Sequence, residues 1–380
     1  MEIHFVPCVG SGCGAFLFAL FQKIIEAGGD ENVFISPLSV AMCLGMAYNG
    51  ADGSTREEMA QTLELSGLSV EQVNGSYRYL IETLAGLDPT VRFDIANSIW
   101  YNDTFPEPRA EFLNACQDYF SALVTGLNFG AWDAAATINA WVEENTNGRI
   151  DQIVDDPIDP LYVMFLINAI YFKGDWTYRF DPELTDNALF TLPDGSETTC
   201  RMMTQRGRYW HYTGDDFWAL DLPYGGADFR MTIVLPDEGV DLDSLIASID
   251  PQDWDQTLMD DWLTSLHRDS LNIYIPKFAL EYELYMKEVL TALGMDLAFT
   301  PAADFTNMYS GGGVWIDEVK HKTFIEVNEE GTEAAAVTST AVATGISEDI
   351  FLVNRPFAFV IRENYSGTIL FIGKIVDPTG

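Results

Sequence analysis

The sequence predicts an α+β fold in one large domain, and three observations carry that expectation. Helix-period patterns come first and strand patterns accumulate later, without the strict alternation of a parallel α/β sheet. An almost unbroken apolar run, Leu161–Phe172, reads as a strand covered on both faces and therefore central in a sheet. No internal repeat, linker or low-complexity tract divides the 380 residues, and 48% apolar with 13% aromatic residues suits a sizeable buried core. The sheets are expected to be several and largely antiparallel.

Taken in order, Phe16, Leu17, Leu20, Phe21, Ile24 and Ile25 recur at helical spacing and Gly28-Gly29 stops the helix. Asn32 to Ser39 reads as a short buried strand turning into a helix over Val40–Tyr48, with Ser36 as N-cap and Pro37 at the first helical position. Ser54 and Glu57 have the spacing of a capping box. Val91–Tyr101 alternates as a strand, and Asp133–Asn147 is helical with Gly148 as terminator. Within Leu161–Phe172, Asn168 is a lone polar residue that must find partners or cost ~1 to 3 kcal/mol. Strands follow at Phe217–Leu222, Phe229–Leu235 and Leu271–Pro276, a polar helical segment at Leu242–Leu266 and a helix at Met286–Leu293. Phe357–Ile361 and Thr368–Ile375 close the chain as two strands.

Fifty-eight acids against 20 bases give a net charge of -38. Such a field repels phosphates and anionic headgroups, which disfavours nucleic acid, heparin-like polymers and membrane surfaces as partners. Only seven of the bases are Lys; a salt-adapted protein and a merely acidic one both fit. Five cysteines define no disulfide framework, and the close pair Cys8 and Cys13 is read as free thiols or a local disulfide. The N-terminus lacks the basic region of a secretory signal, and the longest apolar runs are too short to span a bilayer, so a soluble protein is expected with no compartment assigned.

Catalytic and cofactor motifs are missing. There is no phosphate-binding loop and no Gly-x-Ser-x-Gly elbow; Gly10-Ser-Gly12-Cys-Gly14 has the wrong spacing for a dinucleotide site. The four histidines, at 4, 211, 267 and 321, have no metal-ligand spacing. The expectation is a protein that is not an enzyme and takes no metal or cofactor.

The stretch Lys322–Pro356 stands apart. Lys322 to Gly331 alternates as a strand running into a turn. Ala334 to Ser347 then carries no charge, no proline and nothing larger than Ile, a composition that suits neither a polar loop nor a core strand. A tolerant loop and an aggregation-prone strand are the plain readings of such a segment.

Glu329-Glu-Gly331-Thr332-Glu333-Ala-Ala-Ala336, then Asn354-Arg-Pro356-Phe357 and Phe371-Ile-Gly373 to Pro378, resemble the serpin family. Further matching blocks are Asn32 to Ser39, Asn139 to Val142, Gly148 to Ile150, Asn168 to Trp176, Leu222 to Gly225, Ile275 to Phe278 and Val319 to Lys322, so the resemblance covers nearly the whole chain. It implies one serpin domain over residues 1–380 with three mostly antiparallel sheets, about nine helices and an exposed reactive-centre loop at about residues 331–350.

The activity implied is that of a monomeric suicide inhibitor, with a target serine protease held covalently as the partner. The protease cleaves the loop, and the loop then inserts as a new strand before the acyl-enzyme hydrolyses. Glu329, Glu330, Gly331, Thr332, Glu333, Ala334, Ala335 and Ala336 match the hinge. The cut is expected at Gly345-Ile346, with Thr344 and Ile346 as alternative residues before it. Ser36, Ser39, Asn168 and His321 match the shutter cluster beneath the sheet, and Trp176 matches the breach at its top. An ordinary polar network and an ordinary core Trp are the alternatives. No Lys or Arg lies between Lys322 and Arg355, and no aromatic between Phe324 and Phe351. Elastase-like or subtilisin-like proteases are therefore expected as targets, with a cysteine protease or a non-inhibitory storage or chaperone-like role as alternatives. Glu71 to Gly86, basic in heparin-activated members, holds one Arg and two Glu, so no heparin cofactor is expected.

Overall fold

The computed structural model describes residues 12–253, 265–332 and 349–380. The chain opens with α1 (Gly12–Gly28), β1 (Val33–Ile35) and α2 (Pro37–Gly50). Ser36 caps α2 by accepting from the Ser39 N–H at 3.3 Å, and Pro37 sits where its missing N–H is not needed. The capping box expected at Ser54 and Glu57 does not form: α3 (Gly53–Thr62) starts two residues earlier, with Asp52 as N-cap, so Ser54 already lies within the first turn. A complete box instead joins Ser69 and Gln72 at the start of α4 (Val70–Leu84). With α5 (Ala110–Phe120), α6 (Ala134–Asn145), α7 (Leu242–Ser248) and α8 (Lys287–Ala292), the described residues hold eight α-helices. Of the helical segment expected at Leu242–Leu266, Leu242–Ser248 is α-helix, Pro251–Asp253 is a 3-10 turn and Ser265 is helical; residues 254–264 lie outside the described residues. No described helix is long and apolar enough to cross a membrane.

The described strands fall into three groups. One is a six-stranded sheet in the order β10 (Phe278–Tyr285), β11 (Lys320–Val327), β12 (Gly331–Thr332), β4 (Met164–Asp175), β2 (Val91–Asn102), β3 (Leu123–Leu127). A second joins β1, β15 (Ile369–Ile375), β14 (Phe357–Glu363), β8 (Phe229–Pro236) and β7 (Phe217–Tyr224). The third joins β5 (Asp186–Thr191), β6 (Glu197–Thr213), β9 (His267–Pro276) and β13 (Asp349–Leu352). The last two are continuous, because Trp210–Thr213 of β6 pair with Trp218–Asp221 of β7. All ladders are antiparallel except β2 with β3 and β9 with β13.

The six-stranded sheet faces the second group across an aromatic layer: Phe93 meets Phe229 at 5.9 Å between ring centroids, and Phe172 meets Phe371 at 6.3 Å. Its outer face carries α6 on a separate apolar cluster, in which Ile138 and Val142 pack with Trp100 of β2 and Ile167 of β4. Each layer thus buries its apolar side against a neighbour, as an α+β fold requires.

The run predicted to be a central strand is central in order, but its two edges differ. β2 pairs with β4 from Met164 to Gly174. On the other edge only Gly174 and Asp175 are paired, with the two-residue β12. Over Met164–Lys173 no ladder among the described residues covers that edge.

Candidate functional site

The unusual feature of the molecule is the seam between β4 and β11. At its top, β12 is held on both sides: Thr332 pairs with Gly174 on β4 and with Val327 on β11. Gly331 is required there by close approach, since a Cβ would lie 2.1 Å from the carbonyl oxygen of Gly174. Thr332 is buried, and its hydroxyl shares a 2.7 Å hydrogen bond with the buried Tyr224 hydroxyl. Directly below Thr332, Ile170–Phe172 of β4 and Phe324–Glu326 of β11 line a narrow cleft open to solvent.

Around this top end the chain is tied by hydrogen bonds and by ion pairs, Arg179 with Asp175 and Lys277 with Glu329. Trp176 is buried, stacks on Tyr224 with ring centroids 4.4 Å apart and donates from Nε1 to the Asn328 carbonyl at 3.0 Å. The backbone N–H groups of Trp176 and Phe180 donate to the carbonyls of Glu330 and Glu329. The Glu329 carboxylate pairs with Lys277 Nζ at 2.7 Å and accepts from Thr185 Oγ1 at 2.8 Å. Burial opposes its ionisation, but the Lys277, backbone and Thr185 hydrogen bonds outweigh burial and hold its pKa below the usual range.

Lower down, a polar cluster lies beneath the sheet. The Ser36 N–H donates to His321 Nε2 at 3.0 Å, and Ser36 Oγ donates to the Leu370 carbonyl at 2.7 Å. Ser39 Oγ reaches the Asn168 carbonyl at 3.5 Å. Asn168 Nδ2 donates to Asn97 Oδ1 at 2.9 Å, and Asn97 is anchored in turn on the Phe120 carbonyl. His321 is fully enclosed, and burial pushes its pKa down to about 4, so at neutral pH it is an uncharged acceptor for Ser36.

Two polar atoms at the seam, Asn168 Oδ1 and Glu330 Oε2, are buried without a hydrogen-bond partner among the described residues.

The structure therefore brings Ser36, Ser39, His321 and Asn168 into one neighbourhood, and Trp176 together with Glu329, Glu330, Gly331 and Thr332 into another. Glu333, Ala334, Ala335, Ala336, Thr344, Gly345 and Ile346 lie outside the described residues, as does Cys8. Sequence reasoning missed Asn97, Tyr224, Lys277 and Thr185. Asn97 and Asn168 face each other across the β2–β4 ladder, a pairing visible only once the register is known.

Residues 11–378 match the model of the family described as serpin (serine protease inhibitor). Human neuroserpin is 33% identical over 371 residues, covering 94% of this chain and 89% of its own. Human leukocyte elastase inhibitor is 33% identical over 376 residues, covering 96% and 97%. Among solved structures, the thermophilic serpin tengpin in its native state superposes with a TM-score of 0.87 at 32% identity, covering 97% of this chain and 94% of that one.

Proposed function

The chain belongs to the serpin family, and on that premise we propose that it is an irreversible suicide inhibitor of elastase-like or subtilisin-like serine proteases. The loop is cut near Gly345-Ile346, the acyl-enzyme is trapped, and the segment after Thr332 enters the seam. The observation that carries this reading is the cleft between β4 and β11 with Thr332 already seated at its mouth.

Continuing the two antiparallel registers at Thr332 makes the proposal specific. Pairing with β4 would set Glu333 opposite Lys173 and Val342 opposite Met164, filling the uncovered edge. Pairing with β11 would set Thr338 opposite His321, and the β4 register sets the same Thr338 opposite Asn168. A hydroxyl would then arrive where Asn168 Oδ1 has no donor among the described residues. With period two, Thr332, Ala334, Ala336, Thr338, Thr340 and Val342 would face inward, all small and uncharged. Glu333, the one charge in the segment, would stay on the outer face.

The energetics support a trap of this kind. The new ladder bonds, at about 1 kcal/mol each over ten or so positions, supply on the order of 10 kcal/mol before ordering entropy is subtracted. Losing one oxyanion-hole donor costs a protease about 3 kcal/mol, so a pull of that size can disable it. The uninserted state is then held by a barrier. No polyanion cofactor is needed, because α4 offers Arg78 alone against Glu71 and Glu82.

The test is incubation with elastase, subtilisin, chymotrypsin, trypsin and papain, followed by denaturing gels. A covalent complex is expected with elastase or subtilisin, and sequencing the released C-terminal peptide gives the cut. Clean cleavage without complex by every protease sinks the inhibitor reading.

A further inference from the structure

We propose that the segment Arg149–Asp155, following α6, is an ionic catch that sets how fast the β4–β11 seam opens, with Asp151 and Asp155 as its positioning residues. The proposal rests on the insertion reading above. The segment crosses from one bank of the cleft to the other, and its attachments on the two banks differ in kind.

On the β4 bank they are dry. Ile150 and Val154 are buried in the cluster under α6 that includes Ile167 of β4. Asn139 of α6 fixes the backbone, with Oδ1 accepting from the Ile153 and Val154 N–H groups at 2.9 and 3.0 Å and Nδ2 donating to the Val154 carbonyl at 2.9 Å. Segment and helix are therefore one unit on the β2–β4 side.

On the β11 bank they are ionic. Lys320, Lys322, Phe324 and Glu326 alternate along one face of β11, and the segment meets all four. Asp155 lies 3.4 Å from Lys320 Nζ, Asp151 lies 3.7 Å from Lys322 Nζ, and Arg149 lies 3.6 Å from Glu326 with its guanidinium 4.7 Å from the Phe324 ring centroid. A strand entering the seam must part β11 from β4, and its outer face would lie beneath this crossing. The bank that can let go is the ionic one.

Release leaves no lysine stranded. Lys322 keeps Glu281 of β10 at 2.7 Å and Lys320 keeps Glu283 at 3.0 Å, both closer than the partners on the segment. The two lysine side chains are 8% and 9% exposed, whereas Asp151 and Asp155 are 81% and 72% exposed. The catch thus acts through carboxylates open to solvent, where dissolved salt screens them; the screening length falls from about 10 Å at 0.1 M to about 3 Å at 1 M.

The experiment measures seam opening without any protease. A fluorescein-labelled peptide with the sequence of residues 332–344 is mixed with the intact protein, and its uptake is followed on native gels. At about 0.1 M NaCl, Asp151→Asn/Asp155→Asn is expected to take up peptide about fivefold faster than the parent, and Asp151→Glu/Asp155→Glu at the parent rate. At about 1 M NaCl the parent is expected to match the neutralised variant. A general loosening of the fold would not vanish with salt. Equal rates at low salt, or a difference that persists at high salt, overturn the catch alone. Failure of the peptide to enter any of these proteins at either salt overturns the insertion reading and the catch together.

Discussion

The Ser36–His321 contact ties the N-terminal end of α2 to β11 through one neutral imidazole, and that makes it sensitive to pH. His321 has a folded pKa of about 4 against an ordinary 6.5, because burial disfavours its charged form. A group depressed on folding contributes its full stability above the unfolded pKa and loses it as pH falls toward the folded one. Thermal stability is therefore expected to fall between pH 6.5 and 4, by up to about 3 kcal/mol from this residue. Much of that loss comes above pH 5 or so, where most carboxylates remain ionised. His321→Gln keeps an acceptor for Ser36 but cannot titrate. Melting curves across this range should lose that slope in the variant; an unchanged slope would show that His321 is not its source.

At the scale of an element, the two-residue β12 is the shortest of the described strands and the one that bridges β4 and β11 at the seam's top. Its backbone completes both neighbouring ladders, and its Thr332 side chain is enclosed against Tyr224. Burial also raises the Tyr224 pKa, so the phenol stays neutral as a partner for the Thr332 hydroxyl. Thr332→Arg would put a charge with no counter-ion where a small hydroxyl now sits, at a cost of several kcal/mol that the incoming strand cannot meet. The variant is expected to be cut at the same bond and at a similar rate, with the covalent complex lost and the protease released active. Complex formation at the parent yield would refute the role given to Thr332.

At the scale of the whole molecule, β4 is paired along one edge and, among the described residues, only at Gly174 and Asp175 along the other. Filling that edge with a ladder of ten or so residues should add stability on the order of several kcal/mol after entropy. Limited cleavage of the loop is therefore expected to raise the melting temperature, by about 5 to 10 °C, at matched salt. A melting temperature unchanged by cleavage would favour a storage or chaperone-like role. Salt must be matched because a chain with net charge -38 repels itself, and screening alone stabilises it.

Much of this was written in local sequence. The helical period of Phe16 to Ile25, the Ser36-Pro37 start of α2 and the apolar run of β4 each specify their element through short-range physics: periodicity, a cap, a missing N–H. Of the expected hinge, Glu329, Glu330, Gly331 and Thr332 lie in the described residues at the top of the seam, and that placement depends on the pairing of Thr332 with β4 and β11 rather than on local sequence. The longest strand, β6, was not anticipated: Gln205-Arg-Gly-Arg208 carries a glycine and exposed charges in mid-strand, and only pairing with β9 makes it extended. Ser69 rather than Ser54 carries the capping box, because α3 begins before Ser54, a boundary that local spacing does not fix. What tertiary structure alone decided is the register across the seam. Thr332 meets Gly174, Val327 and Tyr224 only after residues far apart in the chain are folded together, and side-chain partners such as Asn97 for Asn168 follow from which strand lies beside which. The sequence by itself determined that the segment after Gly331 is small and uncharged on alternate positions; the folded sheet decided that, among the described residues, one edge of β4 is paired only at Gly174 and Asp175, because register depends on which distant strands lie side by side.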